Sequence, residues 1–330
     1  EGLFMSKPLR WGVLGAAKFA REHLAPAIML AKQSEFTALA TSSYEKAAPF
    51  KALNPSLRVH LSYEDLLNDP EIEAVYIPLP NHLHIEWVKK AVAAGKHVLC
   101  EKPIAMNADE IDELIALRDS SRLLIAEAFM IAHHPQWQWA RQLIEAGNIG
   151  PLVQVDSVFS YNNADDPNNI RNRPETGGGS LRDIGVYTFG AARLVTDQEP
   201  EVIHFSDIDW QNQVDVWAHV AAKFEGFRFT SITSMRMTHR QHVCFQGTSG
   251  SITLTAPFNA GVYDQAEVVF ENSEGVRSVK RFTGINQYVL QIENVYASVR
   301  HGEPYPCPLE FSKGSQVMID RALALAHPPT

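Results

Sequence analysis

Lys102, Asp183 and Tyr187 are the residues of this 330-residue chain whose types and placing suit proton transfer at an oxygen-bearing carbon. Lys102 stands near the end of the run GKHVLCEKP. A lysine at a strand end can hydrogen-bond a substrate hydroxyl, and its charge favours an oxyanion forming there. Asp183 and Tyr187 follow three glycines in GGGSLRDIGVYTF. They stand at i and i+4, so on a regular helix they share one face. A tyrosine hydroxyl both donates and accepts a proton, and a neighbouring cation lowers its pKa from the ordinary value of about 10. The three form a general acid/base set for a hydroxyl proton. The same residues also fit a plainer arrangement. Glu101 and Lys102 would then be a solvated pair capping a strand, Asp183 a helix cap, and Tyr187 a buried core residue. Spacing alone does not separate the two. Pro103 fixes its own backbone, and the Lys102–Pro103 bond is open to the cis form.

A second pattern concerns phosphate. The strand Leu9 to Leu14 breaks at Gly15, and the spacing that follows is Gly15-x-Ala17-x-x-Ala20, in place of the three glycines of a dinucleotide fingerprint. Gly15 can make the tight turn, while Ala17 and Ala20 are small enough for close approach. A helix N-terminus there would offer free N–H groups to a pyrophosphate. A strand–turn–helix with small residues is equally a common packing solution. Where a free ribose 2′-OH calls for an acid, the second strand ends in Thr41, Ser42 and Ser43, with Lys46 one turn on. Hydroxyls and a lysine tolerate a 2′-phosphate, so the pattern favours NADP over NAD, although Glu45 is near.

The elements that must hold these residues are legible in the periodicity. In the first 130 residues apolar strands alternate with helical patterns, which predicts a parallel, doubly wound sheet. Ligands of such sheets bind beyond the carboxyl ends of the strands. That rule selects Gly15 to Lys18 with Ala16 between them, Thr41 to Ser43, the stretch Pro78 to His84 with Leu79, and Glu101 to Pro103; Phe19, as the helix begins, and Ser42 are further cofactor candidates. From about residue 131 onward strand-like runs dominate with few helices between them, which predicts a second α/β domain on a large, mostly antiparallel sheet. The boundary is expected near residue 130, giving domains 1–130 and 131–330.

Composition narrows the class. A formal net charge of -9 gives no general attraction to nucleic acid or anionic membrane. The three cysteines are odd in number and far apart, which argues for a reducing compartment and a cytoplasmic protein. No apolar run approaches a membrane span. The start EGLFMSKPLR lacks a signal-peptide pattern, and Met5 is the expected initiator. His82, His84, His133 and His134 lack cysteines or carboxylates at ligand spacing, so no metal is expected.

The segments WGVLGAAKFA, YIPLPNHLH, GKHVLCEKP, GGGSLRDIGVY and GTSGSITL occur in this order. Together they resemble the glucose-fructose oxidoreductase/inositol dehydrogenase-like (Gfo/Idh/MocA) family of NAD(P)-dependent oxidoreductases, over nearly the whole chain. The resemblance implies a Rossmann domain followed by an open-sheet domain that commonly joins subunits, here as a homodimer or homotetramer. It implies hydride transfer between nicotinamide and a CH–OH group of a sugar or polyol. In that scheme Tyr187 relays the proton, Lys102 lowers its pKa and holds substrate, and Asp183 orients the pair. It places Asn81 and His84 on the nicotinamide side. Tyrosine at 187, where the family often has histidine, and the segment NNIRNRPETGGG resemble the branch of glucose-fructose oxidoreductase, NADP-linked D-xylose dehydrogenase and dimeric dihydrodiol dehydrogenase. That makes Arg171 a candidate substrate or cofactor contact, the plainer reading being a surface arginine. Ala132 and His133 depart from the branch, so no particular sugar carries over. Two other outcomes belong to the same fold: a glycosidase using transient oxidation by bound NAD, and a non-catalytic cofactor-sensing regulator.

Overall fold

A computed structural model describes residues 7–326 of the chain; Met5 lies outside them. The chain divides into two compact units. One runs to His133 and takes up Gln287–Lys313 again; the other holds His134–Asn286 and resumes at Gly314. The block expected as 131–330 is therefore split. The helix Gln287–His301 buries Tyr288, Ile292 and Val295 and belongs with the first unit.

The first unit carries β1 (Leu9–Leu14), β2 (Ser34–Ala40), β3 (Arg58–His60), β4 (Ala74–Ile77), β5 (His97–Glu101) and β6 (Ile125–Ala128). They form one parallel sheet in the order β3-β2-β1-β4-β5-β6. The chain order reverses direction at β1, the switch point where such sheets bind ligands. β4 and β6 are buried at every position, because helices cover both faces of a parallel sheet. These include α1 (Ala25–Leu30), α2 (Tyr44–Leu53), α3 (Tyr63–Leu67), α4 (His84–Ala93) and α5 (Ala108–Ser121). Ser43, Ser62 and Asn107 cap α2, α3 and α5 by accepting an amide three residues on. The core gathers Leu14, Val75, Ile77, Val88 and Ile111, and each full burial is worth about 1.5–3 kcal/mol.

The second unit contains α6 (Pro135–Glu145) and α7 (Val186–Thr196). Its strands are β7 (Leu152–Asn162), β8 (Val202–Gln211), β9 (Val214–Phe224), β10 (Phe227–Ser234), β11 (Arg236–Gly247), β12 (Gly250–Leu254), β13 (Ala266–Asn272) and β14 (Arg277–Phe282). The sheet order is β14-β13-β12-β11-β7-β10-β9-β8. Every pair is antiparallel except β7 with β10. In β9, Ala218, Val220, Ala222 and Phe224 are buried while Lys223 is exposed, the alternation of a sheet with one covered face. α7 packs on β7 and β10, with Phe189 edge-on to Phe229 at 6.1 Å. Among the described residues no helix is long and apolar enough to cross a membrane.

Candidate active site

The first unit presents its expected residues at the carboxyl edge of the sheet. Gly15 has φ +106°, and a Cβ there would stand 3.2 Å from Leu79 Cδ2. Glycine is required in this turn by conformation and by space. The following helix makes its first recorded backbone bond from Arg21 N–H to the Ala17 carbonyl at 3.1 Å. The amides of its first turn thus have no intrahelical partner, the setting in which phosphate binds. Ala16 and Ala17 are partly exposed and Lys18 is exposed. Phe19 packs its ring at 4.7 Å from His23 and 5.8 Å from Tyr288. At the end of β2, exposed Ser42 accepts a hydrogen bond from Lys46 Nζ at 2.9 Å. These residues fit a dinucleotide: a turn held open by glycine, open amides, and a hydroxyl with a cation where a 2′-phosphate would lie.

His84 differs from expectation. It is fully buried, and its two ring nitrogens lie 2.7 Å from the carbonyl oxygens of Pro103 and Leu79. A ring so enclosed has no surface for a cofactor; it ties the end of β4 to the segment after β5. Glu101 is also turned inward, accepting the Tyr76 hydroxyl at 2.6 Å and the Lys102 amide at 3.1 Å. The Lys102–Pro103 bond is cis. His133 and His134 serve structure: His133 Nδ1 accepts from Asn294 at 2.7 Å, and His134 caps α6. Burial pushes His133 down to about 3 and His134 to about 4. No group of three potential metal-ligating side chains occurs among the described residues.

In the second unit the helix that ends as α7 opens with a π turn, Leu181–Gly185. Asp183 lies in that turn. There bonds run i→i+5, and such turns are frequent at functional sites. Asp183 receives the Tyr161 hydroxyl on Oδ2 at 2.5 Å and Arg171 Nε on Oδ1 at 3.0 Å. Tyr161 was not anticipated. Its signal was strand alternation, since it follows Phe159 by two positions on β7 and shares its face. Tyr187 is buried, its ring 5.7 Å from both Phe159 and Phe258. The Asp183 carboxylate, followed by Tyr161 and Tyr187, holds the Arg171 guanidinium more firmly charged than usual. Burial first, and Asp183 next, push the Tyr161 hydroxyl well above its usual range.

The three glycines are fixed by contacts within the protein. Gly177 has φ +77° after a short 3-10 turn. A Cβ on Gly178 would overlap the Arg171 carbonyl oxygen, and one on Gly179 would overlap Asp215 Oδ1. Asp215, also unanticipated, accepts the Leu181 amide at 2.7 Å and the Ser180 hydroxyl at 2.9 Å on Oδ2. Thr233 Oγ1 stands 2.9 Å from that hydroxyl.

Two consequences can be measured. Gly179 has φ +121° with no room for a methyl group, so Gly179→Ala should cost about 2 kcal/mol or more in denaturant unfolding. Burial raises Asp215 to about 6, against the Leu181 amide, the Ser180 hydroxyl and the charge of Arg182. The unfolded value is about 3.9, so the folded state holds the extra proton between those values, and stability falls as pH rises through that window, by up to about 3 kcal/mol. Asp215→Asn should remove that part of the pH dependence, read as the difference between the two melting curves from about pH 4 to 7.

Comparison with known proteins follows the same division. A family profile described as an oxidoreductase family with an NAD-binding Rossmann fold matches residues 9–129, and the GFO/IDH/MocA C-terminal domain matches residues 137–253. The chain is 42% identical to dTDP-3,4-didehydro-2,6-dideoxy-alpha-D-glucose 3-reductase of Saccharopolyspora spinosa over 321 residues, 96% of each chain. It is 31% identical to D-xylose 1-dehydrogenase (NADP(+)) 2 of Haloferax volcanii, over 89% of this chain and 90% of that one. Among solved structures, KijD10, a 3-ketoreductase from Actinomadura kijaniata in complex with NADP and TDP-benzene, superposes with a TM-score of 0.90. That match is 27% identical and covers 97% of this chain and 98% of that one. With both family profiles matched and a relative at 42% identity over 96% of it, the chain belongs to the Gfo/Idh/MocA family of NAD(P)-dependent oxidoreductases.

Proposed function

We propose that the chain reduces a carbonyl of a nucleotide-linked sugar with NADPH, with Tyr187 as proton donor and Lys102 as partner of the developing oxyanion. The carrying observation is the engagement of Asp183 by Arg171 and Tyr161. A carboxylate beside a guanidinium and a phenol is a poor proton acceptor, so Asp183 fixes Arg171 and the proton falls to Tyr187. Lys102 at the close of β5 steadies the oxygen on which charge develops. Ser42 and Lys46, with no carboxylate at that strand end, support a cofactor carrying a 2′-phosphate, and NADP is the cofactor bound in KijD10. When bound, NADPH supplies the hydride. Structures of KijD10 variants with a lysine replaced by alanine or glutamate, and a tyrosine by phenylalanine, point to the same two residue types.

Arg171 supports the substrate class. Asp183 takes its Nε, and the side chain stays 41% exposed. Its terminal nitrogens have the fork geometry that phosphate accepts. The dTDP-sugar relative and the TDP-benzene complex agree with a nucleotide diphosphate there. The xylose dehydrogenase relative favours a second outcome, oxidation of a free aldose. NADPH consumption with dTDP-3,4-didehydro-2,6-dideoxy-D-glucose, set against NADP reduction with D-xylose, decides between them. Tyr187→Phe should lower kcat by about 100-fold or more with NADPH affinity nearly intact; near-normal turnover would overturn the assignment. Arg171→Met should raise KM for the dTDP-sugar about 10- to 100-fold, through loss of a charge-assisted contact. We also propose that the second sheet's open face joins copies of this chain in the cytoplasm. The exposed side chains of Val202 and Phe205 on β8 support it, and a monomer in sedimentation would overturn it.

A further inference from the structure

The segment that carries Lys102 is gripped at consecutive backbone groups by ionisable side chains, one half-buried and two buried. The Lys102 amide donates to Glu101, itself held by Tyr76. The Pro103 carbonyl lies 2.7 Å from His84 Nδ1. The Ile104 amide donates to Glu127 Oε2 at 2.8 Å. The last two contacts fall on the two ends of a single peptide unit, Pro103–Ile104. His84 and Glu127 come from different elements, the start of α4 and β6, and are 0% and 3% exposed. Glu127 also takes the Ser312 hydroxyl, and the charge of Lys102 helps to hold it ionised against burial.

We propose that His84 and Glu127 are positioning residues for Lys102, setting the plane of the Pro103–Ile104 peptide from both sides. The inference rests on Lys102 being the oxyanion partner. Its physical basis is leverage. Tilting the backbone at Lys102 by about 10° moves an ammonium about 6 Å away by about 1 Å, and a misplacement of that size can cost about 100-fold in rate. Burying a carboxylate is expensive, and a lone amide could be satisfied by a neutral acceptor. A carboxylate and an imidazole on opposite ends of one peptide fix its orientation as well as its hydrogen bonds.

The whole 330-residue chain tests this with E127A, E127Q, H84A, the double variant E127A/H84A, and K102M. Turnover is read with the dTDP-linked keto sugar, NADPH affinity by fluorescence titration, and amide exchange by mass spectrometry on the peptide containing Ile104. E127A and H84A should each lower kcat about 10- to 100-fold, with NADPH affinity within about threefold and faster exchange at Ile104. E127Q should recover most of the loss, because its amide oxygen still accepts the Ile104 N–H. The double variant should be within about threefold of the poorer single variant, since both act through one peptide. Multiplying effects, a glutamine as poor as alanine, or unchanged exchange would overturn the proposal. If E127A does not fold, H84A and E127Q carry the same test: undiminished kcat in H84A overturns it. Should K102M turn over normally, the role of Lys102 fails, while exchange at Ile104 still reports on the clamp. An inactive K102M beside a fully active E127A refutes the clamp alone.

Discussion

A carboxylate removed from water must find hydrogen-bond donors, and in this protein the nearest donors are backbone amides. Asp215 meets the requirement with the amide of Leu181 and the hydroxyl of Ser180; Glu127 meets it with the amide of Ile104. One grip lies two residues before Asp183 and the other two residues after Lys102. Each unit therefore fixes the backbone beside a candidate site residue by the same device, an acid whose charge is costly to bury and whose oxygens have few alternatives. The glycines follow from it. Gly179 is glycine because Asp215 occupies the space of its Cβ, and Gly178 because the Arg171 carbonyl occupies the other.

Asp183 sits in a π turn and gathers a cation and a phenol, Arg171 Nε at one oxygen and the Tyr161 hydroxyl at the other. Tyr187, four residues on, packs between Phe159 and Phe258. Asp183 first, and the two tyrosines after it, hold the Arg171 guanidinium more firmly charged, so one acid organises the polar residues at this end of the second unit.

Much of this was legible in the residues. Strand–helix alternation in the first unit, the antiparallel second sheet and the strand ends of β1, β2, β4 and β5 follow from periodicity and from short turn signals. What escaped has physical causes. α2 contains Pro49 and has no marked apolar face, so neither propensity nor pattern announces it. β14 is exposed along most of its length and reads RSVKRF, because an edge strand needs only one neighbour. The return of Gln287–Lys313 to the first unit depends on what the helix Gln287–His301 packs against, and helical periodicity shows a buried face without naming its partner. His84 was read as a ligand-facing residue. Its burial between two carbonyls is a tertiary fact that a strand-end position cannot reveal. Asp215 and Tyr161 are single polar residues in strands, distinguished only by which neighbours they meet.

An acidic chain with a formal net charge of -9 gives no general attraction to an anionic substrate, yet a phosphate-bearing sugar is the substrate class proposed. The resolution lies in local pairing. Net charge governs long-range steering, which salt screens beyond about 10 Å. Capture depends on charges within contact distance. Arg171 is anchored by Asp183, its Nε 3.0 Å from Oδ1, while its side chain stays 41% exposed. A guanidinium carries five N–H donors, so an acid that orients it does not exhaust it. An anion meeting such a cation at contact distance gains far more than the net charge of a distant surface can cost.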